Sequence, residues 1–398
     1  MKTNQGIQTA VRFSQNEPNL TFGRSLLVSG SLVLMMLITG CAQPDATKAT
    51  TTTPSTTTPD TVTPAPTYLY VATGACYSGT GNTTFTTLTS SNLLYRINTS
   101  TGQKDITIAD YNSFPASTGD SPVGVASVDS DNLVVLVENA TSGRRIESLP
   151  KSSLPSRSMF SGNTTVMSAV LRGLFRLSDG SLLINKSSGI EKLTPSGVRI
   201  GLPLITNNLG LTCGNPITQM TSISILNNNS IVFTHAAASQ NRFGIVPASG
   251  YSGTCLGAQA APNANAFPVA SVYVAASNQL IVAYAGTAVT TALNSIYVYD
   301  IDETTYAITN PTVLYDASLY PATYNYLMYG ISAMAYDADT KSLYVSTAIS
   351  NATTVVNYAI EKFTYDPTAK TITRATTSTP FYNYGIDTKC IASMTVAN

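Results

Sequence analysis

The side chains able to do covalent or acid–base chemistry are few and far apart in this chain. His235 is the only histidine, and the cysteines are Cys41, Cys76, Cys213, Cys255 and Cys390. Imidazole is the usual general acid–base near neutral pH, but it works only with a reacting group held beside it. No Gly-x-Ser-x-Gly, His-Glu-x-x-His or phosphate-cradling loop is present, so His235 is expected to be structural and no catalytic residue is assigned. The cysteines form no Cys-x-x-Cys pair, which excludes a zinc site by spacing. Asp110, Asp120, Asp316 and Asp387 are the carboxylates that would hold calcium if the fold gathered them; no metal site is assigned to them. Tyrosine is the abundant functional type, with 22 Tyr against no Trp. Tyr320, Tyr324, Tyr326, Tyr382 and Tyr384 fall in two turn-rich segments near the C-terminus. A phenol offers an apolar face and a polar tip, which suits contact with a sugar, peptide or protein.

Turns show what scaffold must position these groups. Asp129-Ser130-Asp131-Asn132 lies between two short apolar runs. Ser178-Asp179-Gly180-Ser181, Asn227-Asn228-Asn229-Ser230 and Ala276-Ser277-Asn278-Gln279 repeat that arrangement at intervals of 49 residues. Asp337 to Ser342 is a fifth copy after a longer insertion. Turn-forming residues between β-formers predict a hairpin each time. A second hairpin follows, seen in the likeness of Glu191-Lys192-Leu193-Thr194-Pro195 to Glu361-Lys362-Phe363-Thr364-Tyr365-Asp366-Pro367. The unit is therefore four strands, A to D.

A four-stranded repeat of roughly 50 residues reads as a blade of a β-propeller. Complete units start near residues 122, 170, 219, 268 and 329. Tyr68 to Gly74 is similar to Ser342 to Ala348, a B strand, and Ile391 to Val396 is similar to an A strand with no B after it. Joined, they supply a sixth blade with A from the C-terminus and B, C and D from the N-terminus. The predicted fold is all-β: a six-bladed propeller over 68–398 whose closing blade is shared by both ends of the chain, which leaves no open sheet edge. A–B and C–D turns should share one rim. The longer B–C and D–A connections, at 75–92, 110–121, 150–168, 201–218, 249–267, 285–294, 316–328 and 378–389, should share the other and carry the tyrosines. No WD, kelch or other named blade signature is present.

The N-terminus gives an address. Leu26 to Ile38 is thirteen residues without a charge, shorter than the roughly 20 that span a bilayer and suited to a signal-peptide core. Ile38-Thr39-Gly40-Cys41, which ends it, resembles a bacterial lipobox. The resemblance implies that residues 1–40 are removed and that Cys41 is lipidated, holding the protein to a membrane through acyl chains. Ala42, where an Asp would resemble an inner-membrane retention signal, favours the outer membrane. Asp45 to Thr67 holds eleven Thr and four Pro, so residues 41–67 are expected to form an extended tether with little to bury.

Formal charge is zero, from 21 basic and 21 acidic residues, and no basic patch suggests nucleic acid. In an oxidising envelope the four cysteines left after lipidation are expected to form two disulfides. Antiparallel A and B place Cys390, before the last A strand, beside Cys76, after the first B strand. Cys213 and Cys255 pair by elimination, both being expected in segments that enter an A strand. The resulting expectation is a lipid-anchored binding protein of the bacterial envelope, with an envelope protein or a glycan as partner on the long-loop rim and no cofactor. Two other classes stay open: a propeller hydrolase or lactonase with calcium in the central channel, and a structural component of envelope assembly.

Overall fold

The computed structural model describes residues 66–398 apart from 75, 78–84, 87–91, 113–118, 140–143, 152–157, 160–170, 187–188, 202–203, 207–219, 237–241, 250, 252–254, 264, 287–293, 317–326, 351–354, 376–378 and 384–390. Cys41 and the 1–65 segment thus lie outside the described residues.

Local turn chemistry builds the strands into sheets. In the A–B turns, the Asp129 carboxylate accepts from the Asp131 and Asn132 amides, Asp179 from Ser181, and Asp337 from Asp339. In the C–D turns, Asn98, Asp302 and Asp366 each accept from the two amides that follow at i+2 and i+3. These side chains satisfy amides that a tight reversal would otherwise leave bare, so each blade folds back where an Asp or Asn stands.

Six antiparallel sheets result. The closing blade runs Ile391–Ala397, Tyr68–Thr73, Leu93–Asn98 and Lys104–Asp110 from inside to outside. The second comprises Ser121–Ser127, Asn132–Glu138, Arg145–Pro150 and Ser158–Met159. Leu171–Arg176, Leu182–Lys186, Gly189–Leu193 and Ile205–Thr206 form the third. The fourth is Met220–Ile225, Ile231–His235, Arg242–Val246 and Leu256–Ala260, and the fifth is Ala266–Val274, Gln279–Gly286, Ser295–Ile301 and Ile308–Asp316. In the sixth, strand A is broken into Leu327–Tyr329 and Met334–Asp337, both on Ser342–Ser350. Its third strand, Val355–Asp366, carries Thr371–Arg374 and Tyr382–Asn383 on its outer edge. Gly330, at φ +58°, sits where strand A breaks, a backbone state open to glycine at little cost.

The shared blade closes as the sequence predicts. Tyr68 stands opposite Ala397 and Thr73 opposite Ile391, and the Thr67 hydroxyl donates to the Asn398 side chain at 2.9 Å. The core lies between neighbouring sheets, in six apolar clusters of which Val134, Leu182 and Ile184, or Leu280, Tyr284 and Phe243, are typical members.

Two expectations about connections need correction. The segment 249–267 is not one long loop, because Leu256–Ala260 is the outer strand of the fourth blade. The chain before it is a C–D connection on the short-turn rim, where the Tyr251 hydroxyl donates to the Asn229 carbonyl at 2.9 Å. Cys255 therefore precedes a D strand rather than an A strand. Likewise 150–168 and 201–218 contain two-residue D strands, Ser158–Met159 and Ile205–Thr206. A strand that short carries no alternation to read.

Candidate functional site

All six inner strands face one another around a channel of about 230 Å³. A β-bulge recurs in them. The pairing of A with B skips one residue at Val123, Thr221, Val269 and Ala392, with a matching shift between Leu171 and Gly173. A bulge kinks its strand and leaves an amide without its ladder partner. Serine hydroxyls of the adjacent blade take up amides further along the same inner strands. Val125 N–H donates to Ser393 Oγ at 3.3 Å, and Ser271 N–H to Ser222 Oγ at 3.2 Å.

Further hydroxyl bonds join the inner strands to one another. The Ser271 and Ser224 hydroxyls are 2.8 Å apart, and Thr221 Oγ1 donates to the Pro268 carbonyl at 2.6 Å. Ser332 Oγ donates to the Ile391 carbonyl at 2.8 Å and lies 2.7 Å from Ser346 Oγ. The channel wall is thus a ring of neutral donors and acceptors set in small apolar residues such as Ala126, Ala270 and Ala333. Among the described residues it contains no carboxylate and no imidazole, and its one charged residue is Arg176. This chemistry is suited to hydrogen-bonding a small polar molecule, because hydroxyls both donate and accept.

Toward the A–B turns the channel widens into a mouth of about 500 Å³. Phe175, Tyr273 and Tyr336 give it ring surface, and Arg176 and Lys341 give it positive charge. Burial, then the hydrogen bond to the Glu303 carboxylate, raises the Tyr273 phenol well above its usual range. Tyr336 is raised too, first by burial and then by Asp337. Both rings therefore stay neutral at physiological pH.

Charge is concentrated instead in the outer layers. Arg145 is clamped by the Asp120 carboxylate at two points and by Glu147 at 2.8 Å, and Tyr111 donates to Glu147 at 3.2 Å. Lys186 and Arg199 hold Glu191, and Arg374 grips Glu361 at 2.6 and 2.8 Å. Glu147, Glu191 and Glu361 stand opposite Val135, Ile184 and Val345 of their B strands. They occupy equivalent positions of strand C in three blades.

Tyr382 pairs on the outer edge of the sixth blade, half-buried, with its ring 5.9 Å from that of Tyr95; burial raises its phenol. Tyr320, Tyr324, Tyr326, Tyr384, Cys213, Cys390 and Asp387 lie outside the described residues. Cys76 begins a short hairpin with Phe85–Thr86 just beyond Thr73, and Cys255 is buried against the third and fourth blades. His235 is fully buried at the end of its strand. Asp110 and Asp316 end D strands, the outermost of their blades and far from the channel lining, while Asp120 is taken by Arg145. Among the described residues no three potential metal ligands converge. Sequence reading passed over the hub hydroxyls. Their signal was Thr221-Ser222-Ile223-Ser224, a polar alternation inside a strand that must be buried on both faces.

Fold and hub together define a six-bladed β-propeller with a hydroxyl-lined central channel. No family model matches the chain, and no curated protein matches it. Among solved structures it is similar to a protein of unknown function from Bacteroides caccae, at 11% identity and TM-score 0.51, over 83% of this chain and 99% of that one. It is also similar to the periplasmic gluconolactonase of Pseudomonas aeruginosa, at 13% identity and TM-score 0.45, over 78% and 83%. A third is the aldose sugar dehydrogenase of Streptomyces coelicolor, at 11% identity and TM-score 0.45, over 71% and 93%. At such identities the likeness extends to the fold alone.

Proposed function

We propose that the protein is a lipid-anchored binding protein of the bacterial envelope, and that the hub of its propeller receives a hydroxyl-rich ligand of glycan type. The observation that carries this reading is the ring of Ser and Thr hydroxyls around the central channel. Cys41 supplies the anchor by its lipobox setting, and the Thr-rich 41–67 segment supplies reach. The outer membrane is the preferred site, from Ala42. In the same scheme the long-loop rim, with Tyr320, Tyr324 and Tyr326, is left for an envelope protein partner.

Calorimetric titration of the full chain in detergent with envelope oligosaccharides tests the hub. Thr395 lines both channel and mouth, so Thr395→Phe is expected to block the throat and abolish binding while thermal unfolding stays cooperative. Binding that survives this block would refute the hub reading. Labelled palmitate should enter the wild-type chain and not Cys41→Ser. A pull-down from envelope extract, with and without replacement of 316–328, tests the loop rim; retention of no protein by either form would remove that part of the scheme.

A further inference from the structure

Most cations of the described residues are already engaged. Arg96, Arg144, Arg145, Lys186, Lys192, Arg199, Lys370 and Arg374 pair with carboxylates. Lys104 lies over the Tyr95 ring, Lys151 and Lys362 donate to carbonyls, and Arg242 is engaged as well. Among the residues whose side chains are described, Arg176 and Lys341 have no carboxylate, carbonyl or ring partner, and both line the channel mouth. Arg176 ends the inner strand of the third blade, and Lys341 sits in the A–B turn of the sixth. In a ring of six those blades are opposite, so the two charges flank the opening from either side. Among the described residues no carboxylate lines this mouth; behind the lining, Glu303 accepts from the Tyr273 phenol, Asp337 acts on Tyr336, and Asp366 feels Lys341 as its weakest stabilising contribution.

Unpaired cations around a cavity raise the local concentration of anions. A volume of about 500 Å³ lies within the roughly 300–1,000 Å³ common for small-ligand sites. We infer that the mouth takes a small polyhydroxylated anion, a sugar acid or sugar phosphate, whose carboxylate or phosphate is held between Arg176 and Lys341 while its hydroxyls reach the Ser and Thr ring beneath. This rests on the proposed ligand-binding role of the channel and adds the charge of the ligand to it.

Titration of the full chain in detergent with a hexuronate, a hexose phosphate and the matching neutral hexose decides the matter. At least one anion should bind about tenfold more tightly than the hexose, as charge-assisted hydrogen bonds require. Arg176→Gln and Lys341→Gln should each weaken the anion by about tenfold and leave the hexose unchanged. Arg176→Lys with Lys341→Arg, which keeps both charges, should retain binding, so a loss through misfolding is recognisable. Preference for uronate or phosphate distinguishes the two sources of negative charge. Equal binding of hexose and anions, untouched by the Gln variants, would overturn this inference and leave the channel reading standing. Absence of any binding up to about 10 mM would overturn both.

Discussion

The hub and the strand-C layer solve the problem of buried polarity in opposite ways. At the hub the polar groups are neutral hydroxyls that bridge neighbouring blades, as Ser222 does to Ser271 and Ser332 to Ile391. In the C layer of the second, third and sixth blades they are buried full charges closed within a blade, as in Arg145 with Asp120 and Glu147. A hydroxyl is cheap to desolvate and can change partners, whereas a buried charge must keep its counter-ion. The difference locates stiffness and adaptability. The outer layers hold each blade in one register, and the inner ring keeps groups that a ligand can use without stranding a charge.

Four perturbations test that contrast. The strongest concerns what seals the ring. If Cys76 and Cys390 are bonded as proposed, Cys76→Ser with Cys390→Ser should lower stability by about 5 kcal/mol, since the crosslink would enclose nearly the whole propeller; urea unfolding and non-reducing peptide mapping measure this, and a mapped free thiol at either position would dismiss the bond. Next comes the C layer. Arg145→Met should cost about 4 kcal/mol by leaving Asp120 and Glu147 buried without their cation, read as a shift of the urea midpoint. A loss below 1 kcal/mol would erase the distinction between the layers.

Within the hub the effects should be smaller. A Cβ on Gly124 would come within 3.0 Å of the Leu174 backbone and side chain, so Gly124→Ala should cost about 2 kcal/mol by forcing the second and third blades apart. Ser271→Ala should cost about 1 kcal/mol. Smallest is a pH effect in the turns. The Ser181 hydroxyl and amide hold the Asp179 carboxyl down at about 2, and the group is largely exposed. Its contribution is therefore present above its unfolded value near 3.8 and fades as pH falls toward 2. Asp179→Asn should flatten the stability–pH curve in that window, lowering stability slightly at pH 7 and leaving it nearly unchanged near pH 2.

The architecture was legible because its signals are local. Asp129, Asp179 and Asp337 act on amides two or three residues away, so a turn announces itself from four residues, and their spacing gives the blades. Closure was legible because Tyr68–Thr73 keeps the composition of a B strand although its A partner lies at the far end of the chain. Outer strands were harder. Leu256–Ala260 reads Leu-Gly-Ala-Gln-Ala and is half exposed, with few β-formers to mark it. The hub was least visible, since most of its bonds join residues about a repeat or more apart, such as Thr221 with Pro268. Serine in a strand looks like a turn former until six strands are set face to face. Arg176 and Lys341 show the same limit: nothing along the chain says that they meet across one opening.

The pairing of Tyr68 with Ala397 also dictates a timetable. During synthesis the second strand of the closing blade is among the first parts of the domain to emerge, and it waits with one edge bare until residues 391–397 arrive. Five blades can form in order, but the ring becomes a ring only when the final strand docks, so loss of residues 391–398 would leave a nearly complete chain open at the seam. The same adjacency makes the order of blades arbitrary to the finished molecule. Joining Asn398 to Thr67, whose side chains already touch, and cutting at the exposed turn after Asp302 would give a rearranged chain with the same ring and a different last strand to wait for.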